Sequence, residues 1–164
     1  MRNSTCYSIL LKVEDMQVQA LLSRKVHPVY TIAGHQTIDD AVQLMNAKKV
    51  SALVVTESDN PIGMFAERDV YRLYVKERTA EIFNIPVQDA MTHRLIVAGP
   101  QDDIDALVAL MIKSDIKHIP VMGEDGLIGM LTLNDLIEFQ IESLADEIRY
   151  LREYIADLHD AGQD

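Results

Sequence analysis

A chain of 164 residues holds one compact domain or two very small ones. With 48% hydrophobic and 25% charged residues it has an ordinary globular composition, which argues against disorder, and no apolar run reaches the roughly 18 residues of a membrane span. A formal net charge of −11 speaks against duplex nucleic acid and anionic membrane as main partners, because both reward clustered Lys and Arg.

In chain order, residues 1–17 form an N-terminal extension. Its apolar patch Ile9-Leu10-Leu11 meets Glu14 and Asp15 at once, which is too short for a secretory core and lacks a small-residue cleavage site. Cys6, the single cysteine, cannot close an intramolecular disulfide, so the chain reads as cytoplasmic. Ser8 to Val13 could add an edge strand or cover a helix. Beyond it the sequence is duplicated. Ile38 to Tyr71 overlies Ile104 to Ile137 without a gap at an offset of 66, with eleven of 34 positions identical. Val18 to Ser23 echoes Val87 to Thr92 at an offset of 69, so the loop around Arg24 to Pro28 is three residues longer in the first copy.

Each copy presents the same signals. A β-rich stretch, Val29 to Ile32 or Leu95 to Val97, leads through a polar turn into apolar residues at 38, 41, 42 and 45, or 104, 107, 108 and 111. That spacing predicts one face of a three-turn helix. Then come a buried strand (Leu53-Val54-Val55 or Ile119-Pro120-Val121), a turn (Asp59-Asn60 or Asp125-Gly126) and a second strand (Ile62 to Phe65 or Leu127 to Leu131), which together predict a hairpin. A second helix closes the unit. One β-α-β-β-α copy is too small to bury its own sheet, so two packed face to face are expected, related by a pseudo-twofold axis.

After the second copy the final helix runs on. Apolar residues fall at 137, 141, 144, 148, 151, 155 and 158, a heptad pattern with Ile at every a position (141, 148, 155) and Leu at every d position (144, 151, 158). In parallel coiled coils that choice favours two strands, and Glu147 at g would face Arg152 at e of the other helix. The 22 residues from Ile137 to Leu158 would span about 33 Å. This predicts a homodimer; the plain alternative is an amphipathic helix folded back on its own module. Nine of the 26 acidic residues lie between 133 and 164, so the body itself is only mildly acidic and can still hold a local anion pocket.

The stretches HIPVMGEDGLIGMLTLND and DDIDALVALMIKSDI resemble the CBS domain, and the tandem arrangement resembles a Bateman module, over roughly Val18 to Phe139. The resemblance implies an α/β (α+β) fold of two CBS repeats, 18–78 and 79–139, followed by a coiled-coil-like tail, 140–164. It also implies a ligand-sensing regulatory role that acts on an unknown partner protein. In the family, the motif matched here by Gly129-Met130-Leu131-Thr132-Leu133-Asn134-Asp135 is similar to a ribose and phosphate site for adenine nucleotides.

The residue chemistry agrees. A strand-to-helix junction offers unpaired N–H groups and a positive dipole end to a phosphate, with the Thr132 hydroxyl as a further partner. Asp135, an acceptor-only carboxylate, suits paired ribose hydroxyls. Gly129 permits close backbone approach. Thr132-x-x-Asp135 is equally a helix capping box with Asp in place of Glu, and the two roles can coexist. The first copy keeps Gly63 and Asp69 but has Ala66 in place of the hydroxyl residue; Arg68 could clamp a phosphate instead. Arg68, Arg72 and Lys76, four apart, could equally form a solvated helix face, and two unequal sites are expected.

His118, beside Lys117, stands where a basic residue of related modules reaches ligand phosphates, and its first-copy counterpart is Ala52. A strand-edge histidine bonded to backbone is the alternative. The five histidines show no metal-binding spacing, and no Gly-x-x-x-x-Gly-Lys or Gly-x-Gly-x-x-Gly loop is present. No catalytic constellation can be assembled, so no enzyme is expected. The expected ligand is AMP, ADP or ATP, held by Thr132, Asp135, His118, Asp69, Arg68 and Met130. The rival readings are a sensor of S-adenosylmethionine or NADH, and a dimerisation module with no nucleotide.

Overall fold

The computed structural model describes residues 16–24, 28–58 and 60–161, with side chains as far as 156. The edge strand considered for Ser8 to Val13 lies outside the described residues. The elements run α1 (Val18–Arg24), β1 (Thr31–Ala33), α2 (Ile38–Lys48), β2 (Ala52–Glu57), β3 (Asn60–Ala66), α3 (Glu67–Glu77), a 3-10 turn (Ala80–Asn84), α4 (Val87–Ala90), α5 (Ile104–Lys113), β4 (His118–Gly123), β5 (Gly126–Thr132) and α6 (Leu133–Ala161).

The duplication is visible down to irregularities. β2 and β3 pair antiparallel with a register shift at Val55/Thr56, and β4 and β5 do the same with a shift at Val121/Met122, the equivalent place. Helix α2 starts on a full capping box between Thr37 and Asp40, and at α5 the Asp103 carboxylate accepts the Ala106 N–H at 2.8 Å. The Thr37 N–H, and after it the Thr37 hydroxyl, hold the exposed Asp40 carboxyl below its usual range.

One expected strand is missing. β1 lies parallel to β2, but Leu95 to Val97 is not a strand, and the second copy keeps only a single parallel bridge between Ala98 and Val121. Two prolines explain the loss. In the first copy Val54 N–H donates to the Tyr30 carbonyl and Gly34 N–H to the Thr56 carbonyl, both at 3.0 Å. The counterparts of those two donors are Pro120 and Pro100, which have no N–H. What remains is the middle of the ladder, Ala98 N–H to the Pro120 carbonyl at 2.9 Å and Met122 N–H to the Ala98 carbonyl at 2.8 Å.

The hairpin turns also sit one residue earlier than expected. Glu57 pairs with Asn60 and Gly123 with Gly126, so Asn60 and Gly126, expected in the turns, already open the second strands. Positive φ occurs at Ser58 (49°), next to Glu57 in the first hairpin, and at Gly126 (113°), the first residue of β5, in the second.

The core divides in two, and the short helices are exchanged. Val18 and Leu21 of α1, which precede the first copy, are packed with Ile104, Met111, Ile119 and Leu136 of the second. Val87 and Met91, around α4, are packed with Ile38, Leu53, Val55 and Phe65 of the first. Main-chain bonds follow the same exchange: Ile38 N–H donates to Ile85 at 3.0 Å, and Ile104 N–H donates to Met16 at 2.9 Å. Gly63 and Gly129 stand where the exchanged segments cross the second strands. A Cβ on Gly63 would meet the Thr92 carbonyl oxygen at 2.8 Å, and one on Gly129 would meet the Leu22 side chain at 3.0 Å. The close approach that Gly129 permits is therefore made by α1.

Leu136 and Phe139 anchor the first turns of α6, and Arg24 lies 4.7 Å from the centre of the Phe139 ring. A Gln140–Asp105 hydrogen bond ties α6 to α5. Beyond it Ile141, Leu144, Ile148, Leu151 and Ile155 are all exposed.

Gly63→Ala is expected to destabilise the fold by about 2 kcal/mol in urea unfolding, because backbone must shift. Gly129→Ala should cost less, since only the flexible end of Leu22 has to move; equal losses would argue against the crossing described.

Candidate functional site

Two clefts lie on the boundary between the copies, of about 470 and 220 Å³. The larger is built on the β3–α3 junction (Met64, Ala66, Arg68, Asp69) and is walled by residues of the second copy at 92, 94–96 and 115–118. The smaller is built on the β5–α6 junction (Met130, Thr132, Asp135) and is walled by Pro28, Tyr30 and residues 49–52. The same parts recur at the repeat offset, so the clefts are pseudo-twofold counterparts. Arg68, Asp69 and His118 meet in the larger, and Met130, Thr132, Asp135 and His118 meet in the smaller.

His118 and Ser51 line both clefts, and their side chains are bonded at 2.9 Å between the Ser51 hydroxyl and His118 Nε2. This pair is the shared wall. His118 is thus bonded to a side chain of the other copy. Burial, the main cause, together with the nearby Lys117 charge holds its imidazole below the usual range despite Glu67 and Asp135, so it is neutral at pH 7.

The two helix starts differ as the sequence implies. At α6 the box is closed: Thr132 N–H donates to Asp135 at 3.0 Å, the Thr132 hydroxyl donates to the same oxygen at 2.5 Å, and Asp135 N–H donates to the Thr132 hydroxyl at 3.2 Å. At α3 only half exists. Ala66 N–H donates to Asp69 at 2.9 Å, but Ala66 offers no side-chain acceptor to the helix. The first turn of α3 therefore keeps an N–H group without a side-chain cap, facing a cleft that holds Arg68, Arg72, Arg94 and Lys117.

Asp69 is the one buried charged side chain among the described residues, 6% exposed. Arg72 donates to its other carboxylate oxygen at 2.6 Å. Even so, burial pushes its carboxyl up, outweighing the Ala66 N–H and the Arg72 and Arg68 charges. The native fold thus holds a proton on Asp69 more tightly than the unfolded chain. The stability from that proton is full below the unfolded value and is lost as pH rises through the raised one.

Side chains that the motif did not single out also fall into these clefts, among them Arg94 and Tyr71 in the larger and Lys49 and Tyr30 in the smaller. The only signal for them was the repeat offset, under which Lys49 corresponds to Asp115 and Tyr30 to Ile96. Arg72 lines the larger cleft, whereas Lys76 pairs with Glu77 at 3.0 Å on the surface.

The CBS domain family model matches residues 18–76 and 87–142. The CBS domain-containing protein CBSX3, mitochondrial, of Arabidopsis thaliana is 33% identical over 125 residues, 73% of this chain and 60% of that protein. The CBS domain-containing protein YhcV of Bacillus subtilis is 28% identical over 116 residues, 70% of this chain and 81% of that one. The crystal structure of the CBS-domain containing protein ATU1752 from Agrobacterium tumefaciens superposes with a TM-score of 0.72 at 28% identity, covering 76% of this chain and 98% of the other.

Asp69→Asn removes the buried charge but keeps an oxygen for Ala66 N–H. At pH 7 it is expected to stabilise the ligand-free protein by about 1 kcal/mol, seen as a rise in melting temperature of about 2–4 °C. A fall would mean that Asp69 serves the fold as a cap rather than being held there against it.

Proposed function

The chain belongs to the CBS-domain family, and we propose that it is a regulatory module that senses an adenosine-containing nucleotide of the AMP, ADP or ATP class. The observation that carries this is the larger cleft. Its volume, about 470 Å³, lies within the range of small-molecule sites, and its walls come from both copies. In this reading Asp69 accepts the ribose hydroxyls, and the open start of α3 with Arg68, Arg94 and Lys117 takes the phosphates. Met64, Leu95, Ile96 and Ile116 offer the apolar surface a base needs. The smaller cleft, about 220 Å³, is below that range, and its Thr132 and Asp135 are engaged with each other. It is assigned the weaker site, in which Lys49 supplies the cation and Met130 the apolar contact.

The output is conformational, not chemical. A ligand that touches both copies favours one arrangement of them, and it shifts the balance only by its difference in affinity for the two arrangements. The helical tail then carries the change to a regulated partner. The exposed Ile141, Leu144, Ile148, Leu151 and Ile155 form a longer apolar stripe than a monomeric helix leaves in water, which supports a homodimer. Ile148→Lys should convert that dimer to a folded monomer in sedimentation equilibrium; a variant that stays dimeric places the interface elsewhere.

Thermal unfolding with AMP, ADP, ATP, S-adenosylmethionine and NADH tests the ligand reading. One adenine nucleotide should raise the melting temperature, since a hundredfold excess over Kd adds about 2.7 kcal/mol. An anion beside His118 favours its protonated form. Affinity should therefore increase as pH falls toward the lowered His118 range, and His118→Gln should flatten that part of the profile. No shift with any compound would leave a dimerisation module; a shift with S-adenosylmethionine or NADH alone would name a different ligand class.

A further inference from the structure

Arg68 stands in the first turn of α3, in the first copy, and reaches across to the second. One guanidinium nitrogen donates to the Asp115 carboxylate at 2.7 Å and to the Asp115 main-chain carbonyl at 3.1 Å. The other nitrogen donates to the second carboxylate oxygen at 3.4 Å. Asp115 follows α5 in a left-handed conformation, φ 51°, which aims it back at α3. Both residues line the larger cleft, and their side chains are 50% and 80% exposed, so the pair sits at its rim.

The smaller cleft has no such pair. The counterparts of Arg68 and Asp115 are Asn134 and Lys49, and Lys49 keeps the left-handed backbone, φ 55°, while reversing the charge. The backbone station is retained in both copies. The opposed charges are not.

We propose that Asp115 is a built-in competitor for the phosphate of the ligand. The Arg68–Asp115 pair clasps the two copies together in the ligand-free protein, and an anionic ligand opens the clasp by taking Arg68. This rests on the reading of the larger cleft as a nucleotide site and adds its selectivity. A guanidinium presents the same fork of donors to a carboxylate and to a phosphate, so one exchanges for the other without a change of chemistry. A phosphate carries more charge than the carboxylate it replaces. An uncharged nucleoside has nothing to offer Arg68 and leaves the clasp shut. The exchange also breaks a contact between copies that exists only without ligand, which gives the two arrangements different affinities for it.

The test is the affinity of AMP relative to adenosine, by titration calorimetry on the full chain. Asp115→Asn keeps the main-chain acceptor and tolerates the left-handed backbone. An exposed pair of this kind holds Arg68 weakly, so AMP should bind about two- to fivefold tighter while adenosine gains less. Asp115→Gly, which also adopts this backbone freely, should give the same gain. In an Arg68→Gln background Asp115→Asn should give no gain for AMP. The proposal is overturned if AMP and adenosine gain equally, if the gain persists without Arg68, or if the wild type binds AMP and neither variant improves on it. If the wild type binds no AMP at all, the nucleotide reading itself has failed.

Discussion

The exchange of α1 and α4 between the two copies is the constraint from which the rest follows. A sheet of two or three strands with a pair of helices cannot close a core. Each copy closes on the short helix that belongs, by sequence, to the other: Val18 and Leu21 in one core, Val87 and Met91 in the other. Because the segments cross, the two β-to-helix junctions are drawn to a common boundary. The clefts are the space left over along it. Ser51 and His118, bonded across that boundary, form the partition between them. The clefts are thus a consequence of how the core is completed.

Within that frame the two clefts have diverged by few substitutions. Ala66 in place of a hydroxyl residue leaves the start of α3 open, whereas Thr132 closes that of α6. Arg68 and Asp115 confront each other where Asn134 and Lys49 stand in the counterpart. The larger cleft carries a buried carboxylate, Asp69, whose proton burial makes harder to remove. Alanine at position 66, which at first sight weakens the motif in the first copy, leaves the start of α3 without a side-chain cap.

Much of the fold was legible because the duplication checks itself: each element is read twice, at an offset of 66. The exceptions are positions where backbone bonding, not side-chain pattern, decides. Leu95 to Val97 has β-forming residues, yet Pro100 and Pro120 remove the donors that would make it a strand. The hairpins turn one residue early because the pairing register closes them. At the site, Asp69, Arg68, Thr132 and Asp135 were readable as a local motif, and His118 from its place before a strand. Arg94 and Lys49 were not, since they come from the opposite copy and only the crossing brings them in. The close approach expected at Gly129 is made by Leu22 of the exchanged helix, a partner the sequence did not name.

The central claim, that the larger cleft between the copies holds an adenine nucleotide, is tested most directly by the crystal structure of the protein grown with AMP, ADP or ATP. The account predicts nucleotide density in that cleft, with the ribose hydroxyls on the Asp69 carboxylate and the phosphates at the start of α3 beside Arg68. Density confined to the Thr132–Asp135 cleft, or both clefts unchanged at saturating nucleotide, would contradict it.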